Sequence, residues 1–264
     1  MRIVSVNAWG GAMFDPLAAW LGKVGADIAC LQEVTRVPGA GGWTRFDDGE
    51  RALPQRANLF DDVRGLLPAQ QAVFVASDAG PVRDASGETH RQDFGLATLV
   101  AEHLPVVGVH TAFVHGSFVD HHEWAIEDRP RAAVGVRVLD RARGRGVTVV
   151  QCHGLRDPSG KQDSPARLAQ AERLAELVVR SREEGDLTVV CGDLNLLPDS
   201  ETFDVLREVG LVDLVGESDT RTSRYRKRVR HAGYLLVSDP AAAAGFQILA
   251  EPEVSDHRAL LLDV

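Results

Sequence analysis

Leu187-Thr188-Val189-Val190-Cys191-Gly192-Asp193-Leu194-Asn195 reads as a short buried strand that runs out into a carboxylate and an amide. Apolar, β-branched runs of this length, bounded by glycine and polar residues, favour strand over helix. Asp193 and Asn195 are two positions apart, so on an extended chain their side chains share one face. Such a pair suits a hard cation or a bound water and adds nothing to a core. A second polar segment, Ser255-Asp256-His257, precedes the apolar run Ala259-Leu260-Leu261-Leu262. It contributes another carboxylate and the side chain that titrates near neutrality. Together the two segments predict metal-assisted or general-base hydrolysis.

Outward from this stretch, strand-like runs recur at Ile3–Val6, Asp27–Leu31, Ala72–Ala76, Gly95–Val100, Val106–Val109, Ala132–Leu139, Val147–Gln151, Tyr234–Val237 and Phe246–Ala250. Helices are expected at Pro16–Val24, Gln55–Leu67, Pro165–Glu184 and Glu201–Val209. The third has Ser164 as N-cap, Pro165 at its first position and an apolar stripe of Leu168, Ala171, Leu174 and Val178. Many strands with interspersed helices describe an α/β protein with mixed sheets. No composition shift or linker divides residues 1–264, so a single domain is expected. Thr35–Pro54, Ser77–Asp93, His115–Pro130 and Gly154–Asp163 are polar and rich in glycine or proline, and are expected as long functional loops.

The 44% hydrophobic and 25% charged content is that of a globular protein with a sizeable core. A net charge of −9 argues against gripping long duplex through many phosphates and favours a small or locally bound anion. Cys30, Cys152 and Cys191 each sit in an apolar run, and their odd number predicts buried, reduced thiols. Met1 to Val6 enters a strand at once and no run reaches membrane-spanning length, so a cytoplasmic protein with no membrane association is expected. No obligate protein partner is evident.

Polar residues gather where predicted strands end. Asn7 closes the first strand, Glu33 follows the second, and His153 follows Val149-Val150-Gln151-Cys152. If the last strand runs antiparallel to these, Asp256 and His257 lie beside their ends. Each residue singly has a plain structural explanation: a solvated strand end, a turn former, a core histidine or a loop cap. Their joint occurrence in this order is specific. Carboxylates so crowded call for a cation, and the oxygen-rich set suits Mg²⁺ or Mn²⁺.

The segments Ser5-Val6-Asn7-Ala8-Trp9, Leu31-Gln32-Glu33-Val34, His153-Gly154-Leu155, Gly192-Asp193-Leu194-Asn195 and Ser255-Asp256-His257 resemble the ordered motifs of the endonuclease/exonuclease/phosphatase (DNase I-like) superfamily. With Gly10-Gly11 and the loop segments below, the chain is similar to a bacterial branch of it. The resemblance implies a four-layer α/β sandwich, two mixed β-sheets packed face to face between helices. It also implies divalent-metal-dependent phosphoester hydrolysis. Carried over, Glu33 with Asn7 and Asp256 would hold the metal. Asp193 and Asn195 would orient water and phosphate, His153 would meet developing charge, and His257 would act as base or transition-state stabiliser. One departure stands out: family members usually carry an acidic residue where this chain has Gly233, in His231-Ala232-Gly233-Tyr234. That carboxylate normally orients the terminal histidine, so His257 is expected to be less well held.

Two further segments are candidates for substrate recognition. Leu155 to Asp163 brings Arg156 and Lys161 after His153, and the basic stretch Thr220 to Arg230 offers Arg221, Arg224 and Tyr225. Arg167, at the start of the third helix, is a further candidate to bind anions. The expected substrate is a small phosphorylated molecule or a short nucleic-acid end. The alternatives are a DNA or RNA endonuclease and a non-catalytic or chemically repurposed member of the fold that keeps an anion-binding pocket.

Overall fold

In the computed structural model, which describes residues 1–125, 128–157 and 160–264, two mixed sheets lie face to face and helices cover the outer side of each. The first sheet has nine strands. Its main path runs β14 (Gly245–Leu249), β15 (Ala259–Asp263), β1 (Arg2–Asn7), β2 (Ile28–Arg36), β6 (Thr89–Ala101), β5 (Gln70–Asp84), β3 (Trp43–Asp47) and β4 (Ala52–Arg56), with β8 (Val119–Asp120) paired to β5. The second has six: β12 (Val212–Asp213), β13 (Gly233–Val237), β11 (Leu187–Asp193), β10 (Arg145–His153), β9 (Arg131–Asp140) and β7 (Val106–His115). The parallel pairs β1–β2 and β10–β11 occupy the middle of their sheets. Buried on both faces, these strands read as near-continuous apolar runs.

Period-two alternation sorts the core. Val4, Val6, Ala29 and Leu31 pack outward against α1 (Phe14–Val24) and α2 (Leu59–Leu66), whereas Ile3, Ile28 and Cys30 join the core shared with the second sheet. Helix α1 buries Leu17, Trp20, Leu21 and Val24 at helical spacing, each contributing about 2 kcal/mol. On the far side lie α3 (Pro165–Ser181) and α4 (Thr202–Glu208). Ser164 caps α3 by accepting from the Arg167 backbone N–H, with Pro165 opening the helix. Cys30, Cys152 and Cys191 are free and buried. None of the described helices is long and apolar enough to cross a membrane.

Four sequence expectations change. The predicted loop Thr35–Pro54 contains the hairpin β3–β4, whose alternation is short: Thr44 and Phe46 are buried and their neighbours exposed. The predicted loop Ser77–Asp93 is a long extension of β5 and β6, paired as far as Arg83 with Thr89. The helix expected from Gln55 starts only at Leu59, because Gln55 and Arg56 belong to β4 and Asn58 forms the N-cap. On α3, Leu168 is exposed and Arg167 is buried instead, donating to the carbonyls of Asn195, Leu155 and Gly160. Arg167 therefore ties loops to the helix, and those carbonyls take up three of its donor contacts. Parts of the predicted loops His115–Pro130 and Gly154–Asp163 (126, 127, 158 and 159) lie outside the described residues.

Candidate active site

Both sheets end in polar rows at the same pole. In the first, Asn7 on β1 is in register with Gln32 on β2. In the second, His153 is in register with Asp193, and Asp193 with Gly233. Strand β15 runs antiparallel to β1, pairing Leu260 with Ser5, so the preceding Asp256 and His257 arrive at this same pole. Gly192 allows the rows to close up. Its φ is +138°, and a Cβ there would lie 2.0 Å from the Cys152 carbonyl oxygen.

Glu33 reaches the site through a bulge. Gln32 faces the second sheet, so a regular pleat would send Glu33 to the helix side with Leu31. Instead the register shifts between Leu31 and Val34, and Glu33 adopts φ 54°. A non-glycine residue in that region costs on the order of 1–3 kcal/mol, a strain found where a side chain must be re-aimed.

Asn7 joins the two sheets at the centre. Its Nδ2 donates to Glu33 Oε1 at 3.0 Å and to Asp193 Oδ2 at 3.0 Å. Its Oδ1 accepts from the Trp9 backbone N–H, which fixes the amide orientation, since the reverse would set donor against donor. Asn7 thus presents a donor to both carboxylates, and its oxygen keeps a second lone pair beside the Trp9 bond. His153 Nε2 lies 3.8 Å from both Glu33 Oε1 and Asp193 Oδ2. Ligand atoms of Glu33, His153 and Asp193 lie within 4.8 Å of one another, a donor set that can hold a metal ion.

Asp193 and Asn195 do not share a strand face. The strand ends at Asp193, and Asn195 turns away with φ 55° while its backbone N–H donates to Asp193 Oδ1. Asp256 Oδ2 accepts from Arg221 Nη1 at 2.7 Å, and the same nitrogen contacts His257 Nε2. His257 Nε2 lies 3.3 Å from Asp193 Oδ2. Lys161 donates to the His231 carbonyl. Tyr225 stacks under Arg221, its ring centroid 4.0 Å from the guanidinium carbon. Arg156 is partly buried and feels the charges of Arg51, Asp48, Glu50 and Glu33. Arg224 is brought to the rim rather than the carboxylates, pairing with Glu253 at 3.5 Å.

The electrostatics follow from burial and crowding. Desolvation pushes Asp256 up to about 7; Arg221 opposes this while Glu33 and Asp193 add to it. Burial also works against ionising Asp193, yet His153, Arg221, Lys161 and the Asn7 amide hold it below the usual carboxylate range. Both rings are kept well below the ordinary histidine value: His153 by burial and Arg131, His257 by burial, Arg221 and Lys161. Burial lowers Lys161 to about 8.

Arg131 was not singled out by its sequence. It lies buried at the start of β9, with Nη1 3.4 Å from His153 Nδ1 and its value lowered to about 10 chiefly by burial. Since arginine only donates, His153 Nδ1 accepts and Nε2–H points to the carboxylates. Behind it, Asp78 holds Arg129 at 2.7 and 3.1 Å and His121 at 3.2 Å. Two arginines flanking Pro130 ahead of an apolar run were the available signal.

A family model described as the Endonuclease/Exonuclease/phosphatase family matches residues 4–257, and the chain belongs to that family. The fold is similar to that of a mannosyl-6-phosphatase from Bacteroides thetaiotaomicron, with a TM-score of 0.68, 14% identity, and 100% of this chain and 98% of that one covered. It is also similar to the human Nocturnin catalytic domain with bound sulfate, with a TM-score of 0.63, 17% identity and 99% and 93% covered. A third likeness is to D. rerio TDP2 in complex with a single-strand DNA product, with a TM-score of 0.65, 13% identity and 99% and 97% covered. Among curated proteins, none matches the sequence.

Proposed function

We propose that this chain acts, as one domain, as a divalent-metal-dependent phosphoester hydrolase on a small phosphorylated molecule or a short nucleic-acid end. The observation that carries this is the single Asn7 amide nitrogen bonded at 3.0 Å to both Glu33 and Asp193. Two carboxylates drawn together on one donor favour a cation, and Mg²⁺ or Mn²⁺ is the fitting choice. The related folds include a phosphatase acting on a phosphorylated sugar and a protein bound to a DNA product, which supports phosphoester chemistry without choosing between the two.

Glu33 is the principal candidate ligand, with Asp256 supplying a further carboxylate once deprotonated. A divalent ion bound there would neutralise the carboxylates and polarise the phosphoryl group. Asp193, kept ionised, would orient the attacking water and accept its proton. Asn195 lies beside it to donate to the phosphate. His153 presents Nε2–H to developing charge, and Arg156, Lys161 and Arg221 supply cations around the anionic substrate. Position and field account for most of what such a reaction requires.

The test is hydrolysis of mono- and bis-p-nitrophenyl phosphate with Mg²⁺ or Mn²⁺ titrated, and Glu33→Ala as control. Metal-stimulated turnover abolished by that substitution is the expected result. Turnover equal in EDTA, or unaffected by Glu33→Ala, overturns the proposal. Gly233 favours a second reading, a non-catalytic anion binder, which predicts phosphate binding with no turnover under any metal. A nuclease would show DNA binding that falls steeply with salt.

A further inference from the structure

Gly233 leaves His257 without the carboxylate that the motif resemblance would place there. Beside it lies a cavity of about 10 Å³, room for roughly one water, lined in part by Ser5, Asn7, Gln32, Asp193, Gly233 and His257. Among the described residues none hydrogen-bonds His257 Nδ1. The other ring nitrogen is the engaged one, because Arg221 Nη1 contacts Nε2. A guanidinium keeps all its protons and offers no acceptor, so Nε2 must present its lone pair. Asp193 Oδ2, 3.3 Å from the same nitrogen, is then met by a lone pair and not by an N–H, and it accepts from Asn7 instead.

Arg221 is fastened from several sides. Asp256 Oδ2 accepts from Nη1, Tyr225 stacks against the guanidinium, and the Arg221 backbone bridges to His257. Its carbonyl accepts from Arg230 Nη2 and Arg258 Nε. Both side-chain contacts use Nη1. The opposite edge of the fork, Nε with Nη2, has no protein partner among the described residues, and Nε is a buried, unpaired donor. That edge is the one that meets a carboxylate or phosphate through two parallel bonds.

We propose that Arg221 is the oxyanion-binding cation of this site, and that His257 is a positioning residue whose Nε2 lone pair holds the guanidinium in place. A histidine that must carry a proton needs a neighbouring carboxylate to stabilise it. A neutral histidine behind an arginine does not, so glycine at 233 is tolerated and the positive charge is moved to Arg221. The inference rests on the phosphoester reading only for the identity of the oxyanion.

The experiment measures orthophosphate binding by titration calorimetry, with Mn²⁺ and in EDTA, and scores p-nitrophenyl phosphate turnover separately. Arg221→Ala is expected to weaken phosphate binding about tenfold or more, Arg221→Lys to recover part of it, and millimolar guanidinium to restore binding to Arg221→Ala. His257→Ala is expected to weaken binding about tenfold, and His257→Gln, whose amide oxygen can accept the same bond, to recover at least about threefold of that. Unchanged affinity in Arg221→Ala, no phosphate binding by the wild type, or His257→Gln as damaging as His257→Ala overturns the proposal. Arg221-dependent binding without metal-stimulated turnover upholds it while removing the hydrolase reading.

Discussion

Gln32 Nε2 donates to Gln151 Oε1 at 2.9 Å, from one sheet to the other, directly beneath the candidate site. Gln151 Nε2 in turn reaches the Ala97 carbonyl at 2.8 Å and Thr98 Oγ1 at 2.7 Å. Glu33 follows Gln32 in sequence, and His153 shares a strand face with Gln151, so this buried amide pair sets the spacing of two site residues. Gln151→Leu removes a donor from the Ala97 carbonyl and Thr98 Oγ1 and takes the closest acceptor from Gln32, whose Nε2 keeps only the Cys30 carbonyl at 3.2 Å and Ser5 Oγ at 3.4 Å. It is expected to cost about 1–3 kcal/mol in urea unfolding. The double variant Gln32→Leu/Gln151→Leu should cost less than the sum of the singles, because each single takes from the remaining buried amide its shortest partner across the sheets.

Asn7 is the only described donor bonded to both Glu33 and Asp193. Asn7→Asp puts a third carboxylate in its place. The metal-free protein should melt several degrees lower, with about 2–4 °C for each kcal/mol lost. Mn²⁺ should raise the melting temperature of this variant more than that of the wild type. Equal metal shifts in thermal scans would contradict a cation site here.

The pH dependence of stability has a definite sign. His153 and His257 are held neutral in the folded state, while in the unfolded chain they take up protons below about 6.5. Their contribution is present above that pH and lost as pH falls. Asp256, raised to about 7, acts oppositely: between the unfolded carboxylate value near 4 and about 7 only the folded state keeps its proton, so its contribution is full below about 4 and is lost as pH rises to 7. Between about pH 5 and 6 the unfolded state therefore binds a net one proton more, and stability should fall by on the order of 1 kcal/mol per pH unit on acidification. Asp256→Asn should roughly double that slope and His257→Gln should nearly abolish it, as read by urea titrations at several pH values.

Gly233 has room for a side chain: a Cβ there meets nothing closer than Leu260 Cδ1 at 3.7 Å. Gly233→Asp should let the His257 ring take up a proton, measured as a raised imidazole pKa by NMR, and so remove the lone pair that holds Arg221. The cost of Arg221→Ala in phosphate binding should then shrink several-fold relative to the wild-type background. Strictly additive effects would show that the two positions do not communicate.

The apolar runs, the α3 cap and the polar strand ends were all legible from residue order, because alternation, capping and chain termination of strands are local physics. Glu33, His153, Asp193, Asp256 and His257 could be picked out as a set in this way. The β3–β4 hairpin was not, since its two-sided alternation is only five residues long on each strand and rich in polar residues.

Direction and partnership come from the packing of segments distant along the chain. A bulge at Glu33, a turn at Asn195 and the donor-first orientation of Asn7 depend on strands far apart in sequence. So does Arg167, buried as a tie between loops, and Arg221, whose spent and unspent edges are set by Asp256 and His257. Sequence dictates which groups are available; packing two sheets pole to pole dictates which of their atoms must face one another, and that sets their charge.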